Sequence, residues 1–313
     1  MAPARQAAAQ TDQSGSFGIQ LLDAPTDNRS DPRALKYIVD HLTPGTVIHR
    51  RVLVVNKSTV ELHVAIYPAA ASVDKGGFQF AGGRTANELV SWINASPSEL
   101  DLAPGAQAPS EVTIQVPTKV TNGERYAVVW ASVTSGHQPS ANVTQVYRVG
   151  VRVYLDVGPG GDPPSDFAIG RLVAARNSHG QPSLSIAVHN TGQRALDLSG
   201  QVTLTDGPAG TRAGPFRVSH DTTLGIGQSG TVTAALPRNL PDGPWTVRVD
   251  LASGLIQHSV TQRLRLGSAG HDGPFASLAT HSALVWSLVV VIVILVAGAA
   301  LTGRHLHRTR RIP

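Results

Sequence analysis

The chain has no cysteine, a single methionine, and only 5% aromatic residues. The first absence excludes disulfide staples, thiolate metal sites and a cysteine nucleophile. Any domain built from this sequence is therefore held by a hydrophobic core alone, which a unit of ~100 residues or more can supply. Charge is also sparse, at 15% of residues. Lysine plus arginine exceed aspartate plus glutamate by 26 to 21, but Arg304, Arg308, Arg310 and Arg311 crowd into the last ten residues, leaving 22 basic against 21 acidic side chains before them. So balanced a body lacks the electrostatic footprint that a phosphate backbone requires, and nucleic-acid binding is not expected.

Signatures of catalysis are missing too. There is no H-E-x-x-H and no G-x-S-x-G, and the glycine-rich GPGGDPP beginning at Gly158 is not followed by the Lys-Ser and helix of a phosphate cradle. The 12 histidines are scattered; His63 and His189 fall at positions expected to face outward from strands. Asp23, Asp27 and Asp31 recur every four residues, which does not fit the odd-position ligands of a calcium loop. We therefore expect a protein without metal or cofactor, and not an enzyme. Three triplets, at Asn56, Asn94 and Asn142, match glycosylation acceptors.

The sequence is rich in short runs with a period of two. In YRVGVRVYLDV, residues 147–157, Val149, Val151, Val153, Leu155 and Val157 share one face, while Arg148, Arg152 and Asp156 take the other. That pattern predicts a strand with one side in a core and one side in water. One phrase occurs twice. LDLAPGAQAPSEVTIQVP, residues 100–117, and TTLGIGQSGTVTAALP, residues 222–237, are each a glycine turn feeding an alternating strand. Each is followed by a second glycine turn and an aromatic-led strand: NGERYAVVWASV, then DGPWTVRVDLAS. Upstream, VLVVNKSTVELHVAIY and LSIAVHNTGQRALDLSGQVTL both read as a strand, an Asn-led turn and a returning strand.

Many short strands between Pro, Gly and Asn turns indicate sandwiches. We expect an all-β protein with two tandem immunoglobulin-like β-sandwiches, residues 17–157 and 167–267, joined by a Gly/Pro linker at 158–166. The first carries an extra segment, residues 69–98, and insertions of this kind lie on the surface and carry function. Within it Phe78, Phe80, Arg84 and Trp92 are candidate recognition anchors, because aromatic and arginine side chains bury much area at low entropic cost.

Residues 283–301, ALVWSLVVVIVILVAGAAL, carry no charge and are long enough to cross a bilayer as a helix. We place the transmembrane helix at 283–302, after a stalk at 268–282. Residues 268–282 contain no lysine or arginine, whereas the tail, 303–313, holds the four arginines, so the tail is expected inside the cell and the bulk of the chain outside. Trp286 suits an anchor at the outer interface. This orientation requires export, yet residues 1–16 offer only a small-residue stretch, Ala7 to Ala9, resembling a cleavage region; we expect them to be the remnant of an export signal whose apolar part lies upstream.

The succession YIVDHLTPGTVIHRRVLVVNKS, YPAAASVDKGGFQF and LDLAPGAQAPSEVTIQVPTKVTNGERYAVVWASV resembles the WxL-interacting protein family of Gram-positive surface proteins. The resemblance is best over residues 17–157 and extends in outline to the whole layout. It implies a peptidoglycan-binding first domain and a host-binding second domain, both immunoglobulin-like, ahead of a membrane helix and basic tail. The expected function is thus a cell-surface binding protein that engages peptidoglycan or wall and surface proteins. The competing expectation is the extracellular part of a cell-wall enzyme or sensor.

Overall fold

The computed structural model describes residues 17–25, 29–74, 77–134, 145–176, 180–219 and 222–267. Ten strands make the first sandwich: β1 (Phe17–Leu21), β2 (Ile38–Leu42), β3 (Val47–Asn56), β4 (Leu62–Asp74), β5 (Gly77–Phe80), β6 (Ile93–Ser96), β7 (Glu99–Leu102), β8 (Gln107–Gln115), β9 (Gly123–Thr134) and β10 (Val146–Val157). Eight make the second: β11 (Phe167–Arg176), β12 (Pro182–Asn190), β13 (Leu196–Thr205), β14 (Ala213–Arg217), β15 (Thr222–Leu224), β16 (Ser229–Ala235), β17 (Gly243–Ser253) and β18 (Ile256–Leu266).

In the first sandwich a sheet β1-β3-β8-β6 faces a sheet β2-β10-β9-β4-β5, with β7 beside β4. The second repeats the plan with β11-β12-β16 against β14-β13-β17-β18 and β15 beside β13. All pairings are antiparallel except β2 with β10. The architecture is an all-β, immunoglobulin-like sandwich made twice. One core gathers Val52, Val54, Ile66, Ile114, Val129 and Val153; the other gathers Leu184, Ile186, Leu204, Val232, Trp245 and Val249. Both belong to one compact unit that ends at Gly267. The inward stripe of β10 lies in the first core as its alternation requires.

The twice-written phrase has a physical cause. Asn56, closing β3, donates from Nδ2 to the carbonyls of Val60, Leu102 and Ala103 at 2.7, 2.8 and 3.1 Å. Asn190, closing β12, donates to those of Arg194, Leu224 and Gly225 at 2.8, 3.1 and 3.0 Å. Each amide is buried and ties the hairpin turn to the glycine turn that follows β7 or β15. The aromatic-led strands also begin alike, at Gly123 with φ +130° and Gly243 with φ +141°, a conformation that side-chain-bearing residues avoid.

The described residues of the extra segment, 69–74 and 77–98, are structured: β5 and β6 extend one sheet each, and a 3-10 turn, Leu89–Trp92, joins the two layers. β4 runs through Pro68 without losing a ladder bond. Its neighbours of the same parity, Ile66 and Ala70, donate away from β9, to Ser98 and Thr85, so the missing N–H of Pro68 falls in the gap between β7 and β5. Residues 158–166 are pinned as well. Gly158 donates to the Leu42 carbonyl, Thr191 and Gly192 donate to that of Asp166, and Gln193 to that of Pro164.

Among the described residues no helix is long and apolar enough to cross a membrane. The segment 283–302, with Trp286, and the tail with Arg304, Arg308, Arg310 and Arg311 lie outside the described residues.

Candidate functional site

The outer face of the sheet β2-β10-β9-β4-β5 does not meet water along its length, contrary to the alternation of β10. Asp156 is 5% exposed and Tyr154 fully buried. The reason is that the second sandwich packs on one half of this face. There Val39, Phe78 and Tyr154 close over Ala195, with Tyr37, Tyr126 and Val73 around them. The rings of Phe78, Tyr126 and Tyr154 sit 5.1 to 6.2 Å apart, in tilted or edge-on pairs.

Polar groups fix this junction. The carboxylate of Asp197 accepts from Arg33 Nε at 2.9 Å, from the hydroxyls of Tyr154 and Thr223 at 2.8 Å, and from Arg152 Nη1 at 3.3 Å. Arg194 donates to Glu124 at 3.0 Å and to Asp162 at 2.5 Å. Glu124 also accepts from the Ala195 amide at 2.7 Å and the Tyr126 hydroxyl at 2.8 Å. Burial, then the neighbouring Asp197 and Glu124 carboxylates, push the hydroxyls of Tyr154 and Tyr126 far above the usual phenol range, so both remain donors. Burial works against the charge of Arg33, but Asp197, Tyr154 and Glu124 outweigh it and hold the guanidinium protonated.

The other half of the face keeps part of its surface in water. Tyr67, Ala69, Val128 and Trp130 form an apolar floor. Guanidinium groups cover it: Arg84 lies 4.0 Å from the Tyr67 ring centre and Arg148 lies 4.8 Å from that of Trp130. Phe80 packs 5.0 Å from Trp130 and is 45% exposed. Arg152 bridges the halves, 4.9 Å from Phe78 and 5.8 Å from Phe80. Arg148 donates to the Gly83 carbonyl at 3.2 Å, yet neither it nor Arg84 meets a carboxylate among the described residues. Two stacked, unneutralised cations beside an exposed phenyl ring suit an anionic partner with some apolar surface.

Of the four anchors expected from sequence, the structure brings Phe78, Phe80 and Arg84 to this one face. Phe78 is taken up by the junction, and Phe80 and Arg84 by the open half. Trp92 is elsewhere: it closes the 3-10 turn and packs into the first core, with Arg125 5.0 Å from its ring. Tyr67, Trp130 and Arg148 are not distinguished by sequence alone and reach the site from β4, β9 and β10. The trace they leave there is indirect. Gly150 interrupts the alternation of β10 opposite Trp130, and a Cβ there would meet Trp130 Cε3 at 2.7 Å and Val128 Cγ2 at 2.6 Å. An isolated glycine inside a strand denotes such a close approach.

Elsewhere the acidic triplet does not gather. Asp23 binds Arg51 through both oxygens at 2.7 and 2.9 Å, and Asp31 accepts from the Arg33 amide, while Asp27 lies outside the described residues. Asn56 is no glycan acceptor in the folded chain, since its amide is buried and spent on carbonyls; Asn94 is exposed on β6, and Asn142 lies outside the described residues.

No protein-family model matches the chain, and neither does any curated protein. Among solved structures the chain is similar to the E. coli chaperone DraB, at 13% identity over 72% of this chain and 95% of that one, with a TM-score of 0.38. It is similar also to the Pseudomonas aeruginosa CupB2 chaperone, at 12% identity over 74% and 97% of the two chains, with a TM-score of 0.35. A third is the CsuC–CsuE chaperone–tip adhesion subunit complex of Acinetobacter baumannii, at 14% identity over 71% and 94%, TM-score 0.36. Likeness at this level carries no argument about function, and the fold assignment rests on the two sandwiches themselves.

Proposed function

We propose that this chain is a non-enzymatic binding protein, held at the cell membrane by residues 283–302 with its sandwiches outside, whose first sandwich engages peptidoglycan or an acidic wall or surface protein. The observation that carries the reading is the open half of the outer face, where Arg84 and Arg148 stack on Tyr67 and Trp130 beside the exposed Phe80. Peptidoglycan stem peptides and acidic surface proteins both offer carboxylates that these guanidiniums can receive. The resemblance to the WxL-interacting family supports the same partner class, and the charge asymmetry around residues 283–302 supports the orientation.

The test is a pull-down of the full chain with purified peptidoglycan beside one with extracted surface proteins. Wild type is retained by one of them in a salt-sensitive manner, and Phe80→Ala combined with Arg84→Ala and Arg148→Ala is not. Equal retention of the triple variant defeats the assignment of the face. Extraction of the chain from membranes by alkaline carbonate defeats the anchor.

A further inference from the structure

The near balance of charge over the whole body conceals a difference between the sandwiches. Residues 17–157 hold 12 basic and 12 acidic side chains, whereas residues 167–267 hold nine arginines against five aspartates, with neither lysine nor glutamate. Strand pairing decides where the surplus goes. In the sheet β14-β13-β17-β18 the residues of one parity, among them Val202, Leu204, Val247 and Val249, fill the second core, so the other parity points outward. On that outer face Arg217 shares a row with Asp250, Arg248 lies one row on, and Arg263 and Arg265 follow along β18. All four arginines are exposed. Asp250 neutralises Arg248, at 2.9 Å, and Asp197, at the far end of the same face, is taken by Arg33 in the junction. Arg217, Arg263 and Arg265 meet no carboxylate among the described residues, which leaves three positive charges unanswered. The opposite sheet shows no such bias: β12 and β16 contain no lysine, arginine, aspartate or glutamate.

The spread of the charges selects among anions. Arg217 and Arg263 are separated by three strand spacings and two outward steps along β18, on the order of 20 Å. Charges so far apart cannot converge on one small anion; they match negative charges spread likewise, as phosphates are in a plane of lipid headgroups. Between Arg217 and Arg248 the face dips into a groove of about 580 Å³ that also takes in Gln201 and Ser259, donors suited to phosphate oxygens. β18 is moreover the last strand before residues 268–282, which reach no further than ~50 Å toward the span placed at 283–302 even when fully extended. A tether of that length keeps the face at high effective concentration beside the bilayer, where each arginine adds about fivefold to binding at an anionic surface.

We infer that the outer face of β14-β13-β17-β18 lies against the phosphate headgroups of an anionic bilayer through Arg217, Arg263 and Arg265. The choice of a bilayer rests on the membrane anchor proposed above. The arginine face does not, and it shares no residue with the aromatic face of the first sandwich.

The chain lacks cysteine, so Thr261→Cys on this face and Thr231→Cys on the exposed outer side of β16 each carry a single spin label. The full labelled chain is placed in lipid nanodiscs with a headgroup-linked gadolinium chelate as relaxing agent, made of phosphatidylcholine alone or with phosphatidylglycerol added. In the anionic discs the label at 261 is relaxed more than the label at 231, and the difference is lost in 1 M salt, where screening shortens to ~3 Å. Arg217→Gln, Arg263→Gln and Arg265→Gln together abolish the difference at an unchanged melting temperature, whereas lysine at the three positions keeps it. Retention of the chain by neutral discs reads the anchor separately: if it is lost while anionic discs still hold the chain by the 261 side, the anchor falls and the face stands. The inference is overturned if the two labels relax alike in anionic discs, if the difference persists in phosphatidylcholine alone, or if the triple glutamine variant keeps it. Retention on immobilised polyphosphate together with equal relaxation of the labels overturns it in favour of a soluble polyanion.

Discussion

The hydroxyl of Tyr154, on β10 of the first sandwich, donates to the carboxylate of Asp197, on β13 of the second, at 2.8 Å. Two guanidiniums, Arg33 and Arg152, converge on the same carboxylate, and all of this is withdrawn from water. Tyr154→Phe removes one of several bonds to a buried anion and lowers stability by ~1–3 kcal/mol. Asp197→Ala strands both guanidiniums and costs more, ~3–5 kcal/mol. Urea unfolding of the two variants checks the order; a Tyr154→Phe protein as stable as wild type would show that the junction does not depend on this bond.

Asn56 and Asn190 hold equivalent places in the two sandwiches, and each serves three carbonyls. Replacing either by alanine leaves those acceptors buried and bare, a loss of ~2–4 kcal/mol. Alanine at the exposed Asn94 serves as the control. Thermal melts in which the three variants coincide would remove the explanation offered for the repeated phrase.

Expression in a host that glycosylates Asn-x-Ser/Thr triplets separates the acceptors. Peptide mass spectrometry is expected to find a glycan on Asn94 and none on Asn56, whose amide is fully buried. Substantial occupancy at Asn56 would mean that modification precedes the folding of β3.

His63 and Asp101 face each other across β4 and β7, Nδ1 to Oδ1 at 2.6 Å. The hydrogen bond that His63 donates to Asp101, then the charge of that carboxylate, raises the imidazole above its ordinary 6.5. With the folded value above the unfolded one, the pair contributes fully below the unfolded pKa, and the contribution is lost as pH rises through the folded one. Asp101→Asn is expected to bring the His63 midpoint down toward 6.5, read by NMR titration. An unmoved midpoint would dissociate the pair.

The all-β class, the duplication and the inward stripe of β10 were legible because period-two alternation and glycine turns are local signals. The fate of the opposite stripe was not. Arg148, Arg152 and Asp156 read as water-facing, yet one neighbours Trp130, one bridges to the second sandwich and one is buried with His41. Polarity marks a face as distinct from the core, but cannot distinguish solvent from a second layer able to answer its charges. The candidate site shared that fate in part. Phe80 and Arg84 were found through their insertion, whereas Trp92, adjacent in sequence and similar in chemistry, is core, and Tyr67 and Trp130 join the site only through sheet pairing.

The pinned segment between the sandwiches has a mechanical corollary. With Gly158 bonded to β2 and Pro164 and Asp166 bonded to the β12–β13 turn, little slack remains for either sandwich to swing. The two sandwiches are thus coupled through their backbone as well as through the side chains of the junction, so a variant that loosens the linker bonds is expected to loosen the junction with them.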